Sequence, residues 1–174
     1  MNKKEQKRGF SLIEIIVYAG LIAILLFVVV QILIVGINMY KRFDYARNIQ
    51  DTAISVIERI VSESRNASMI SVAGSGVENE GQGSLTMHNA NDDVIAKFII
   101  ENNGIINLYN GSGILVGPLT PSSVTATGSY FLIASSTPTS QMAKVVLILQ
   151  SGTGENQRTE RFDTSVIPRG LYSQ

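Results

Sequence analysis

The sequence predicts an α+β fold in which a long N-terminal helix packs on an antiparallel β-sheet. Three observations carry that prediction. Apolar residues fill the run from Phe10 to Ile37 with few interruptions, and a stripe of apolar positions at three- and four-residue steps continues to about Arg65. After Asn66 the period switches from 3.6 to 2, and turn residues recur at short intervals. There is no proline before Pro118, so nothing in the first part of the chain forces a helix break. The 174 residues leave about 105 after the helix, enough for one domain with a modest core.

The first element is a span. Lys3, Lys4, Lys7 and Arg8 precede Gly9, and from Phe10 to Tyr40 the only charge is Glu14. Phe10 to Ile37 is 28 residues, about 42 Å as a helix against roughly 30 Å of hydrocarbon in a bilayer. The excess length suits a helix that packs beside other helices as well as sitting in lipid. Gly20 and Gly36 are tolerated there, although their spacing is not the small-xxx-small dimer pattern. Basic residues ahead of the span keep the N-terminus in the cytoplasm and send the C-terminal domain outward, weakly opposed by Lys41 and Arg42.

Glu14 needs a partner, because a carboxylate in a membrane span costs roughly 2.5–3.5 kcal/mol on insertion scales. No cation inside the run can supply one. The candidates are the basic cluster at positions 3 to 8, or an amine freed on Phe10 by cleavage after Gly9 and offered by a neighbouring copy. An ordinary secretory signal would be shorter and would end in an A-x-A-like site, which this run lacks. A plain anchor has no use for the acid.

The string Lys7-Arg8-Gly9-Phe10-Ser11-Leu12-Ile13-Glu14 resembles the class III signal of type IV pilins and type II secretion pseudopilins. The resemblance covers about the first thirty residues. It implies that a membrane-embedded prepilin peptidase cuts between Gly9 and Phe10, that Phe10 becomes the N-methylated residue, and that Glu14 is the subunit-pairing carboxylate that binds the terminal amine of an adjacent subunit. One departure is Gln31, which stands about where major pilins commonly carry a proline.

Residues 41–67 read as an amphipathic continuation of the helix. Phe43, Ala46, Ile49, Ala53, Ile54, Ile57, Ile60, Val61 and Ser64 form the expected buried stripe, with Asp44 set near Arg47 and Asp51 on the outer face. Strands are expected at Ser84 to Asn89, Val94 to Glu101, Ile105 to Tyr109, Tyr130 to Ala134, Met142 to Leu149 and Glu160 to Val166. Asn102-Asn103-Gly104 is a hairpin turn signal, and Gly152 to Asn156 joins the last two strands. The prolines 118, 121, 138 and 168 are expected in connections. Together with the resemblance, this implies a cleaved leader at 1–9, a transmembrane and filament-core helix at 10–40, its amphipathic continuation at 41–67 and a β-rich extracytoplasmic domain at 68–174.

Composition narrows the function classes. Without the first nine residues the chain carries ten basic and thirteen acidic side chains, not a nucleic-acid-binding balance. No cysteine is present, so packing and hydrogen bonds must hold the domain. Lone His88 has no partners for zinc or general-base chemistry, and Asp92-Asp93 with Asn89 and Asn91 lacks the glycine and distal glutamate of a calcium loop. Glycine-rich strings match no phosphate-binding pattern. Asn66-Ala67-Ser68 and Asn110-Gly111-Ser112 fit a glycosylation sequon. The expectation is a non-enzymatic protein with no cofactor and no metal.

Within the family the order of segments, from Ser62 to Ala67 closing the helix through Gly117-Pro118-Leu119-Thr120 to Phe162-Asp163-Thr164-Ser165-Val166, is similar to the J-type pseudopilin and the W-type minor pilin. The resemblance implies a minor pilin of a type IV pilus, acting in adhesion, motility or DNA uptake, or else a J-type pseudopilin driving protein export. Its implied partners are other pilin or pseudopilin subunits, the prepilin peptidase, an inner-membrane assembly platform with a cytoplasmic ATPase, and membrane lipid before assembly. The implied location is the inner membrane as a single-pass protein, then a filament. A membrane-tethered binding module or enzyme is the third class, and would show a cleft of converging titratable groups.

Overall fold

The computed structural model describes residues 11–73, 83–137 and 140–169. The chain divides into two units, one ending at Lys41 and one beginning at Arg42, and a single helix, α1 (Leu12–Asn66), contributes to both. The α+β class expected from the sequence is the one observed, and the helix lies within the expected 10–67 range.

In the second unit α1 buries Ile49, Thr52, Ala53, Val56, Ile60 and Ser64, at the steps of three and four that keep residues on one helix face. The two hydroxyls on that face are satisfied locally: Thr52 Oγ1 donates to the Asn48 carbonyl at 2.7 Å and Ser64 Oγ to that of Val61 at 2.8 Å. Phe43 and Ile54, expected on the stripe, are 69% and 55% exposed. Ile54 follows buried Ala53, about 100° round the helix, and Phe43 lies about 240° from Ile49. The outer charges also pair differently from expectation. Arg47 meets Asp51 at 3.5 Å, while Asp44 accepts a hydrogen bond from Asn48.

The strands form two antiparallel sheets where a single sheet was expected. The first is a five-stranded meander in sequence order: β1 (Met69–Ala73), β2 (Gly83–His88), β3 (Val94–Ile100), β4 (Ile106–Asn110) and β5 (Leu115–Pro118). Its register places Leu85 opposite Phe98 and Phe98 opposite Leu108, all buried. The Asn102-Asn103-Gly104 turn joins β3 to β4 as expected, with Gly104 at φ 76°. A side chain at Gly104 would press on Thr125 and the Ala126 backbone, and its carbonyl accepts the Ala126 amide at 2.8 Å.

Two prolines within four positions end the meander. Pro118 closes edge strand β5, rather than lying in a connection, and Pro121 follows it. Between them Leu119 N–H donates to the Ile106 carbonyl and Thr120 Oγ1 accepts the Ile106 N–H at 3.1 Å. The chain then enters the second sheet through β6 (Val124–Ala126), β7 (Tyr130–Thr137), β8 (Ser140–Ser151) and β9 (Arg158–Val166). Strand β8 is its axis, with β9 along one edge and β6 and β7 end to end along the other.

Ser129 mends the gap between β6 and β7. Its buried hydroxyl accepts the Ile148 amide at 2.8 Å and donates to the Ile148 carbonyl at 3.1 Å, replacing a missing rung of the ladder. Both sheets and the α1 stripe share one core that includes Phe98 and Ile106 from the first sheet and Phe131, Val145 and Leu147 from the second. Gly152, at φ 88° in the β8–β9 connection, lets the ring of Tyr45 approach to where a Cβ would stand 2.9 Å away.

Candidate functional site

The candidate site is the first part of α1. From Ser11 to Tyr40 every residue is exposed, and these include twenty-two large apolar side chains. Covering a Val, Leu, Ile, Phe or Met is worth about 1.5–3 kcal/mol, so leaving this surface in water would cost tens of kcal/mol, more than the roughly 5–15 kcal/mol that holds a domain together. An apolar environment is therefore required on all sides of the helix. Lipid supplies one, since the helix is long and apolar enough to cross a membrane, and neighbouring helices supply another.

Glu14 stands in the first turn, three positions after Ser11, whose carbonyl accepts the amides of Glu14 at 3.0 Å and Ile15 at 3.2 Å. An acid there is favoured by the helix dipole, by about 0.3–1 kcal/mol at an exposed surface. That is well short of the cost of placing it in hydrocarbon, so the dipole cannot stand in for a cation. Among the described residues no cation lies within ion-pair distance of the carboxylate. Gly9 and Phe10 lie outside the described residues. The helix runs through Gln31 without interruption.

His88 is largely covered and tied into the β2–β3 connection. Its Nε2 lies 3.0 Å from Ser71 Oγ, and its Nδ1 is 3.2 Å from both the carbonyl and a carboxylate oxygen of Asp92. In the same turn Asn89 Oδ1 accepts the amides of Asn91 and Asp93, and Asn89 Nδ2 donates to Asp93. These oxygens organise the turn, which carries Asp92 at φ 66°. Among the described residues there is no group of three or more His, Cys, Asp or Glu placed to hold a metal ion.

A groove of about 610 Å³ runs between the end of α1 and the end of β9, lined in part by Val61, Ser64, Arg65, Ile167 and Arg169. Among the described residues that line it, the ionisable side chains are Arg65 and Arg169. Ser64 Oγ donates to the Val61 carbonyl at 2.8 Å, and Ser165 also lines the groove.

Charge in the β8–β9 pair is organised as a surface network. Arg161 makes two hydrogen bonds to Asp163, at 3.0 and 3.2 Å, and Lys144 approaches the same carboxylate at 3.5 Å. The hydrogen bonds from Arg161 hold the Asp163 carboxyl below the usual carboxylate range. Comparison with known protein families, curated proteins and solved structures gave no match.

Proposed function

We propose that this chain is a minor pilin-like structural subunit of a type IV pilus or a related filament. The observation that carries the reading is a single carboxylate, Glu14, on an otherwise uncharged apolar helix whose every side needs covering, directly behind Lys7-Arg8-Gly9-Phe10. In this account a prepilin peptidase cuts after Gly9 and methylates Phe10, and the mature subunit is stored in the inner membrane by its helix. An assembly platform driven by a separate cytoplasmic ATPase then transfers the helix from lipid into a filament core.

Transfer between two apolar surroundings gains little hydrophobic energy, so packing and charge must set the geometry. Glu14 fixes the axial offset, because one register brings its carboxylate to a neighbour's terminal amine. Breaking the pair leaves an unpaired buried charge at a cost of about 3–5 kcal/mol. A J-type pseudopilin of a secretion machine is the second reading, since the segment order from Ser62 to Val166 resembles it as well as the W-type minor pilin.

The test is intact-mass measurement of the protein recovered from its native membrane, followed by fibre incorporation. The mature chain begins at methylated Phe10, Gly9→Val leaves the leader attached, and Glu14→Gln folds and inserts but joins fibres poorly. A native chain that begins at Met1 overturns the reading.

A further inference from the structure

The apolar part of α1 carries two side-chain amides, and they share a face. Gln31 and Asn38 are seven residues apart, so at about 100° per residue they lie within about 20° of one another. Ile24 continues the seven-residue step toward the N-terminus, and Gly20, Phe27 and Ile34 fall between at steps of three and four. That is the spacing of helices that pack along a seam. These positions are exposed, and a Cβ at Gly20 would meet no atom, so another helix can approach closely there.

Depth decides whether those amides need a partner. Gln31 stands about 10.5 Å along the axis from Asn38, so with Asn38 at the membrane surface Gln31 lies inside the hydrocarbon. With Gln31 at the surface instead, the apolar side chains from Ile32 to Ile37 stand in water. A primary amide in hydrocarbon is costly without a hydrogen-bond partner, and across helices such side chains supply one another.

We propose that Gln31 and Asn38 mark a seam along which two copies of this chain pair in the membrane, parallel and in register. A primary amide both donates and accepts, so Gln31 meets Gln31 and Asn38 meets Asn38, each satisfied by its own counterpart. Copies of one chain insert the same way up, which sets equal residues at equal depth. A helix of another protein would need polar groups at both depths, which a second copy supplies by identity. A slip of seven residues would match Gln31 with Asn38 once and leave the other two amides unpaired. The in-register pair satisfies all four and closes on two molecules. Glu14 lies about 100° round the helix from Gln31, off the seam. Its pairing with a neighbour's terminal amine needs an axial offset and the seam needs none, so the pair is a form held in lipid and distinct from the filament contact. The proposal needs the helix in a membrane but not the filament reading, and either can fail alone.

The test uses the full chain in phospholipid vesicles and in its native membrane, and the absence of cysteine makes single-cysteine variants informative. Ile24→Cys, on the seam, is oxidised by copper phenanthroline to a disulfide-linked dimer, whereas Leu33→Cys, on the opposite side of the helix, is not. Association is read separately by energy transfer between labelled chains diluted in lipid. Gln31→Leu weakens it about threefold to tenfold, Leu33→Ala leaves it unchanged, and amide exchange in β8 is the same in both. Equal linking at the two cysteine positions, wild-type association of Gln31→Leu, or a seam cysteine that in the native membrane links only to another protein, each overturns the proposal.

Discussion

The two parts of α1 share a backbone and differ in what covers them. From Leu12 to Tyr40 the helix is apolar on all sides and exposed on all sides, whereas from Ile49 to Ser64 one face is buried in the domain's own core and the rest carries charge. The difference teaches where each part obtains its stability. The later part is stabilised inside one molecule. The earlier part depends on lipid or other helices and contributes nothing to the domain's own core.

The largest expected effect tests the buried face. Ile60→Ala removes a fully buried side chain from the shared core and lowers the stability of the domain by about 2–5 kcal/mol, read by denaturant unfolding in detergent. A loss under about 1 kcal/mol would mean that the helix and sheets are not packed as one core. Next comes Ser129→Ala, which leaves the partly buried Ile148 amide without its acceptor. The expected cost is about 1–3 kcal/mol, with faster amide exchange confined to the β6–β8 region.

Leu25→Ala sharpens the contrast from the other side. The residue is exposed on the apolar part, so the unfolding midpoint of the domain should move by no more than about 0.5 kcal/mol equivalent. A shift comparable with that of Ile60→Ala would break the distinction between the two parts. The smallest effect is electrostatic. Hydrogen bonds from Arg161 depress the folded-state pKa of Asp163, so this pair's contribution is present above the ordinary carboxylate range and is lost as pH falls through the depressed value. Both side chains are solvent-accessible, which keeps the effect on stability small. Carboxyl-detected NMR should find the Asp163 titration moving up toward the ordinary range in Arg161→Gln.

Much of the architecture was legible in the residues. The helix bounds, the β3–β4 hairpin at Asn103-Gly104 and the Gly152–Asn156 connection followed from periodicity and turn chemistry. Strands β1, β5 and β6 did not, and each has a physical reason. β1 mixes Ser71 with apolar neighbours directly after a helix, β5 is a short apolar run between Gly113 and Pro118, and β6 has three residues. The missed β5 is also irregular, its register against β4 shifting between Leu108 and Tyr109. Its signal was Ile114-Leu115-Val116 flanked by Gly113 and Gly117 within a stretch free of charge.

The sequence by itself determined the long helix, its apolar first part with one acid, and the switch to strands, because those depend on local periodicity and on the charge of single residues. Tertiary structure decided that the strands divide into two sheets around one core and that Ser129 completes a ladder rung at Ile148. These depend on which segments meet across long stretches of chain. Hydrogen-bond partners supplied by distant backbone leave no periodic trace in the residues that receive them.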